Sequence, residues 1–472
     1  MPIIHIIHCN YYLTFHHTTN TRKMKKSRRS FIKKAAVGAG LLSTANTWGK
    51  GSNFYISKMK REKFSWNDQI QVAVIGAGGM GVADANTASQ IPGVKIVAAC
   101  DLYQGRLDDA KERWGKDIYT TMDYKEILNR SDVDAVIIAT PDHWHKQISV
   151  DALKAGKPAY CEKPMVHSVK EGMDVVNAQR STGKTFQVGS QGMSSLGNEK
   201  AKQLLAEGAI GKLIYAEGFW ARNSPVGAWQ YAIPDDASEK TVDWKRYVSN
   251  TTDRPFDALR FFRWRNYLDY GTGVSGDLFV HLFSSLHFIT NSKGPDKVMA
   301  TGGLRYWKDG REVPDVLLGM FDYPECEEHP AFNLSLRVNF VDGTSGSTYL
   351  KLVGSEGAMD VKWREVVLRK NEAADPNSDP FLQGKSQESM ASMAPKRKKM
   401  TGPKEYLYKC EDGYLGAHYD HFNNFLTGVR DNKMVVEDAV FGFRAAAPAL
   451  LCNDSYFNNE IIYWDPNKMK LK

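Results

Sequence analysis

Long apolar runs are missing from this sequence. Nowhere do about 18 uncharged apolar residues follow one another, so no candidate for a membrane-spanning helix is present. Cysteine is sparse: the six residues at 9, 100, 161, 326, 410 and 452 form no CxxC or other metal-ligand spacing. That excludes zinc-ribbon and dithiol redox chemistry and specifies no disulfide. Cys100 and Cys161 end apolar runs, where a free thiol behaves as a small hydrophobe. Acidic residues are absent from the first 50 positions, which hold nine of the 62 Lys and Arg; the remainder carries 53 basic against 54 acidic residues. The net charge of +8 therefore belongs to the leader, and a nucleic-acid-binding body has no support.

The leader carries its own pattern. From Met24 a basic start precedes a short apolar stretch at 35–42 and the small residues Ser43 and Ala45. Ser27-Arg28-Arg29-Ser30-Phe31-Ile32-Lys33 resembles a twin-arginine export signal, which implies a periplasmic or otherwise exported protein cleaved after Ala45. Residues 24–50 are read as this signal, 51–67 as a linker, and 1–23 as a misassigned start whose His5, His8, His16 and His17 form no metal site.

What is present is concentrated at 70–101. An apolar run at 70–75 leads into Gly76-Ala77-Gly78-Gly79-Met80-Gly81, then a helix-compatible segment, then a second apolar run ending in Asp101. Gly76 allows the tight turn, Gly78 the approach of a pyrophosphate, and Gly81 close helix packing, while Asp101 is spaced to accept from an adenosine ribose. A second glycine match, at Gly271, Gly273 and Gly276, follows no apolar strand and reads as a turn and helix start. An acid at position 101 favours NAD over NADP, although Arg106 nearby would offset the repulsion of a 2′-phosphate.

Strand-like runs recur at 94–100, 134–140, 158–162 and 185–190, with a weaker one at 118–121, and helix-compatible segments separate them. This alternation predicts an α/β fold, with a doubly wound parallel Rossmann sheet over 68–190. From 191 to 465 the pattern predicts an α+β domain with a largely antiparallel open sheet, a polar loop at 371–405, and helices at 198–207, 418–432 and 436–456.

Two further groups carry chemistry. Glu162-Lys163-Pro164 closes an apolar strand at the carboxyl edge of the sheet, where open α/β folds place ligands. Lys163 reads equally as a proton-transfer group or as a surface partner of Glu162. Asp277 and His281 lie four apart in an expected helix over 276–290, so both face one side; the acid would orient the imidazole, although a structural pair reads more simply. His418 and His421 imitate metal ligands but lack a third, and read as a surface pair.

Together GAGGMG with Asp101, Thr140-Pro-Asp-His-Trp-His145, Glu162-Lys163-Pro164 and Asp277-x-x-x-His281 resemble the Gfo/Idh/MocA oxidoreductases over 68–465. The resemblance implies a nicotinamide cofactor, sugar or cyclitol substrates, no metal, and an open C-terminal sheet that often forms an oligomer interface. It places Lys163 and His281 beside the reacting hydroxyl with Asp277 assisting, and Thr140, His145 and Glu162 near the nicotinamide and its ribose. Phe279 stands where many relatives have glycine. Arg263, Trp264 and Tyr267 are candidate substrate contacts, since guanidinium and aromatic faces suit sugars. Two other readings stay open: NAD-dependent glycoside cleavage by oxidation and elimination, and a non-catalytic sugar-binding protein.

Overall fold

The computed structural model describes residues 6–8, 52–57, 69–341, 348–371 and 404–472. The export-signal reading of 24–50 and most of the expected loop at 371–405 fall outside them. Two short strands come first, β1 (Ile6–His8) and β2 (Ser52–Ser57). Six more form a parallel sheet: β3 (Ile70–Ile75), β4 (Val94–Cys100), β5 (Tyr119–Thr121), β6 (Ala135–Ile138), β7 (Ala159–Glu162) and β8 (Phe186–Gly189), in the order β5-β4-β3-β6-β7-β8. Val72, Ala73 and Val74 of β3 and all of β6 are buried, as a parallel sheet covered on both faces requires. The strand order reverses at β3, so the crevice beyond its carboxyl end is where such a fold receives a ligand.

The second sheet is largely antiparallel. It contains β9 (Leu213–Ala221), β10 (Lys297–Gly303), β11 (Val316–Tyr323), β12 (Phe332–Asn339), β13 (Thr348–Gly354), β14 (Gly357–Lys362), β15 (Glu365–Lys370), β16 (Lys404–Cys410), β17 (Ile462–Asp465) and β18 (Lys470–Leu471). Their order is β1-β2-β16-β15-β14-β13-β9-β12-β11-β10-β17-β18. Along β12, Leu334, Leu336 and Val338 are buried, while Asn333 and Arg337 are exposed. That alternation marks a sheet covered on one face only. The helices Val280–Thr290 and Ala439–Asn458 supply the cover.

Two segments depart from expectation. Residues 52–57, read as linker, form a strand of the second sheet between β16 and the outermost β1. The helix Ala417–Asp431 returns to the first domain: Tyr160 of β7 stacks on Phe422, centroids 4.2 Å apart, and Phe425 joins the same core. The parallel sheet needs apolar cover on this face, and a late helix provides it.

Candidate active site

The turn after β3 is glycine-built for steric reasons. Gly76 has φ +93°, and a Cβ there would meet the Ala139 carbonyl carbon at 2.6 Å. A Cβ on Gly81 would come within 1.9 Å of the Gly76 oxygen, so the helix Gly79–Ser89 starts this close to the strand only with glycine. Its N-cap, Gly78, brings no side chain, which suits the first-turn N–H groups to phosphates. Asp101 at the end of β4 accepts from the N–H of Ala77 at 2.9 Å and of Tyr103 at 3.0 Å, and Arg106 lies 3.3 Å away. Gly76, Asp101, Arg106, Thr140 and Trp144 wall one cavity. Within that wall, Oγ1 of Thr140 is buried with no partner among the described residues. A glycine cradle, a fixed carboxylate and an orphaned hydroxyl around one cavity fit a dinucleotide.

The second centre joins the two domains. The expected α-helix over 276–290 starts instead as a π-helical turn, Ser275–Phe279, before the α-helix Val280–Thr290. Such turns collect at functional sites because they re-aim side chains. Phe279 is fully buried inside this one. Lys163 Nζ donates to both Oδ1 and the main-chain oxygen of Asp277, at 2.8 Å each, and Arg265 Nε approaches the same Oδ1 at 3.2 Å. Burial opposes the charge on Asp277, but Lys163, Arg265 and Arg222 outweigh it and hold the carboxyl well below the usual carboxylate range.

His281 stacks on Trp220, centroids 5.2 Å apart. Burial, then the charge on Lys163, push its imidazole well below the ordinary histidine range, so the ring is neutral. Its Nδ1 is buried without a partner among the described residues. The hydrogen bonds of Asp277 thus go to Lys163 and Arg265; Asp277 does not orient the imidazole through Nδ1 as expected.

Behind this centre lies a buried polar network. The ring nitrogens of His145 face the carbonyls of Pro164 at 2.7 Å and Thr140 at 2.8 Å, which only accept. Both nitrogens therefore carry protons: burial works against the charge, but Cys161, Asp142 and Pro164 outweigh it and push the ring up to about 10. His145 clasps the Thr140 turn to the Lys163-Pro164 turn. Glu162 accepts from Gln191, and Asp84, whose charge it opposes, has no hydrogen-bond partner for either buried oxygen among the described residues. Burial first, then the charge on Glu162, raise the Asp84 carboxyl well above the usual carboxylate range.

Glu437, fully buried and bonded to Ser284 at 2.8 Å, is pushed by burial up to about 8. An unfolded chain releases this proton near 4.5, whereas the native chain holds it to about 8. Stability from this group is full below the lower value and falls as pH rises through the upper, by on the order of 5 kcal/mol. Glu437→Gln is expected to flatten the decline of Tm between those pH values. A variant with an unchanged slope would contradict the assignment.

The candidate substrate contacts are placed differently from Lys163. Arg263 donates to the Tyr231 carbonyl and to Gln230, Trp264 is covered by Arg265 at 4.1 Å, and Tyr267 is buried under Arg260 at 4.3 Å. The member of that run that reaches the acid is Arg265. Sequence reading also missed Trp220 and Trp363, which with Tyr349 and His281 line a cavity of about 290 Å³. The signal was a tryptophan between Lys362 and Arg364 at a hairpin turn, where a solvated residue would be the rule. His421 is not at the surface: it is fully buried, with Nε2 2.7 Å from the Val188 carbonyl and Nδ1 2.7 Å from Ser194. Among the described residues, no group of three His, Cys, Asp or Glu is placed to hold a metal, and no helix is long and apolar enough to cross a membrane.

Residues 70–190 match the Gfo/Idh/MocA profile, described as an oxidoreductase family with an NAD-binding Rossmann fold. An inositol 2-dehydrogenase of Rubrobacter xylanophilus is 33% identical over 198 residues, 42% of this chain and 53% of the relative. An alpha-N-acetylgalactosaminidase of Shewanella oneidensis is 28% identical over 237 residues, 47% of this chain and 50% of the relative. The chain thus spans about half the length of the curated relatives it matches. Levoglucosan dehydrogenase in complex with NADH has the same fold, with TM-score 0.59 at 16% identity over 84% of this chain and 99% of that one. GenD2 from gentamicin A biosynthesis in complex with NAD gives 0.62 at 16% identity over 86% and 100%. The match to the Gfo/Idh/MocA profile thus covers residues 70–190, the parallel-sheet region with its glycine turn, and the likeness to these solved structures is one of fold.

Proposed function

We propose that this protein is an exported, NAD-dependent oxidoreductase that oxidises a hydroxyl of a sugar, glycoside or polyol and keeps its cofactor between turnovers. The observation that carries the reading is the bond between Lys163 of the Rossmann edge and Asp277 of the second domain, four residues from a neutral His281. Asp277, itself fixed by Arg265, holds Lys163 in one place through two hydrogen bonds, so its remaining N–H can donate to the substrate oxygen. The hydroxyl proton passes to His281, whose unpartnered Nδ1 lacks such a neighbour. When bound, NAD takes up the hydride that leaves the carbinol carbon. Trp220, Trp363 and Tyr349 offer aromatic faces on which a pyranose ring stacks.

The basic leader at 24–50 supports export, and the open face of the second sheet supports assembly with further copies. Outside the cytoplasm free NAD is scarce, so the cofactor would be reset in place by a second substrate. The partial match to the Shewanella galactosaminidase favours one further reading, transient oxidation that releases an aglycone. Nucleotide-loaded protein mixed with a broad panel of sugars, glycosides and polyols is expected to change nicotinamide absorbance with at least one member. Product analysis then distinguishes a keto product from a released aglycone. Silence across the panel would overturn the oxidoreductase reading.

A further inference from the structure

The cavity beside Asp101 is walled not only by the Rossmann domain: Arg246, Tyr247 and Phe261 come from the second domain. The segment bearing them is bound tightly to the first. Val242 forms an isolated antiparallel bridge with Tyr103, Asp243 N donates to the Leu102 carbonyl at 2.8 Å, and Gln104 N donates to that of Thr241 at 2.9 Å. The Tyr103 hydroxyl donates to Asp236 at 2.5 Å. Arg246 donates to the Met122 carbonyl at 2.9 Å and lies 3.6 Å from Asp123. Trp144 Nε1 donates to the Tyr247 carbonyl at 3.1 Å. A separate aromatic core forms beneath: Tyr103 meets Phe262 edge to face at 5.1 Å, and Phe261 and Phe262 sit under the Arg106 guanidinium at 5.6 and 5.5 Å.

Arg106 makes the connection to the ligand. Its guanidinium carbon lies 3.5 Å from where a Cβ on Gly78 would be, and it pairs with Asp101. The glycine turn, the ribose-facing acid and the second-domain aromatics therefore meet at one guanidinium.

We infer that Arg246, Tyr247 and Phe261 are cofactor-binding residues, and that residues 236–262 form a clasp over the adenosine half of the dinucleotide. A flat guanidinium and aromatic rings suit a purine, and they line the same cavity as Asp101. NAD leaves this site only when the clasp lifts from 102–104, which breaks several backbone hydrogen bonds and uncovers an aromatic core. Release is therefore slow. The inference deepens the proposed retention of cofactor and rests on that reading.

Exchange of bound NAD for isotopically labelled NAD, followed by mass spectrometry without any sugar present, tests the clasp apart from catalysis. The parent should exchange slowly. Tyr103→Phe removes the bond to Asp236 yet leaves every cavity residue in place, and should speed exchange about tenfold, the worth of a hydrogen bond to a charged group. Bridge partners across antiparallel strands lie within disulfide reach, so Tyr103→Cys with Val242→Cys provides a staple. The stapled protein should stop exchanging until a reductant is added. Fast exchange by the parent, or equal rates in all three proteins, would overturn the clasp. A protein that exchanges as expected but oxidises no sugar would keep the clasp and lose only the activity.

Discussion

Lys163→Met is expected to slow substrate oxidation by roughly 10²–10³-fold, the range for loss of a donor that stabilises charge developing on a substrate oxygen, while the protein keeps its nucleotide. The ammonium is the group bonded to Asp277, and it is the second cause, after burial, that pushes His281 down. The parent should therefore lose no activity to His281 protonation as pH falls from about 8 toward 6, because the imidazole stays neutral throughout. In the variant one downward cause is gone, so the imidazole rises and the residual rate should fall on the acid side. pH–rate profiles of both proteins check this. A variant as fast as the parent, or a residual rate as flat with pH, would contradict the assignment.

The second large effect is a contrast between two glycines of one motif. A Cβ on Gly81 would meet a backbone oxygen at 1.9 Å, whereas one on Gly79 meets nothing within 4 Å. Gly81→Ala forces the helix away from the strand it must abut, at a cost of roughly 1–3 kcal/mol for overpacking against backbone. The cradle opens by that shift, and NAD affinity should fall about 10–100-fold. Gly79→Ala should bind NAD nearly as the parent does. Calorimetry on nucleotide-stripped protein measures both, and equal affinities would mean that the cradle does not hold the pyrophosphate.

The first domain was legible because its signals are local. Most of the parallel strands are largely apolar runs, with Tyr119–Thr121 the weak one, and the glycines and Asp101 are fixed by spacing along one βαβ unit. The change of pattern after residue 191 likewise pointed to a largely antiparallel sheet, as the structure has it. What escaped depends on contacts distant in sequence. No periodicity shows that Asp277 spends its oxygen on Lys163, 114 residues away, and not on His281 one turn on. The π-helical turn at Ser275–Phe279 is likewise set by packing around Phe279. The amphipathic pattern of Ala417–Asp431 predicted a helix but not which sheet it covers, and so His421 was placed at the surface. Arg265 was distinguishable from Arg263 only once the two domains were joined.

The most direct test of the central claim follows carbon-bound deuterium. A responsive panel sugar, deuterated at its carbinol carbons, is mixed once with nucleotide-loaded protein, and the nucleotide is released by denaturation. The account predicts deuterium on the nicotinamide ring, from a single position of the sugar, in the parent and far more slowly in Lys163→Met. Sugar that is converted or bound while the released nicotinamide carries no deuterium would contradict it.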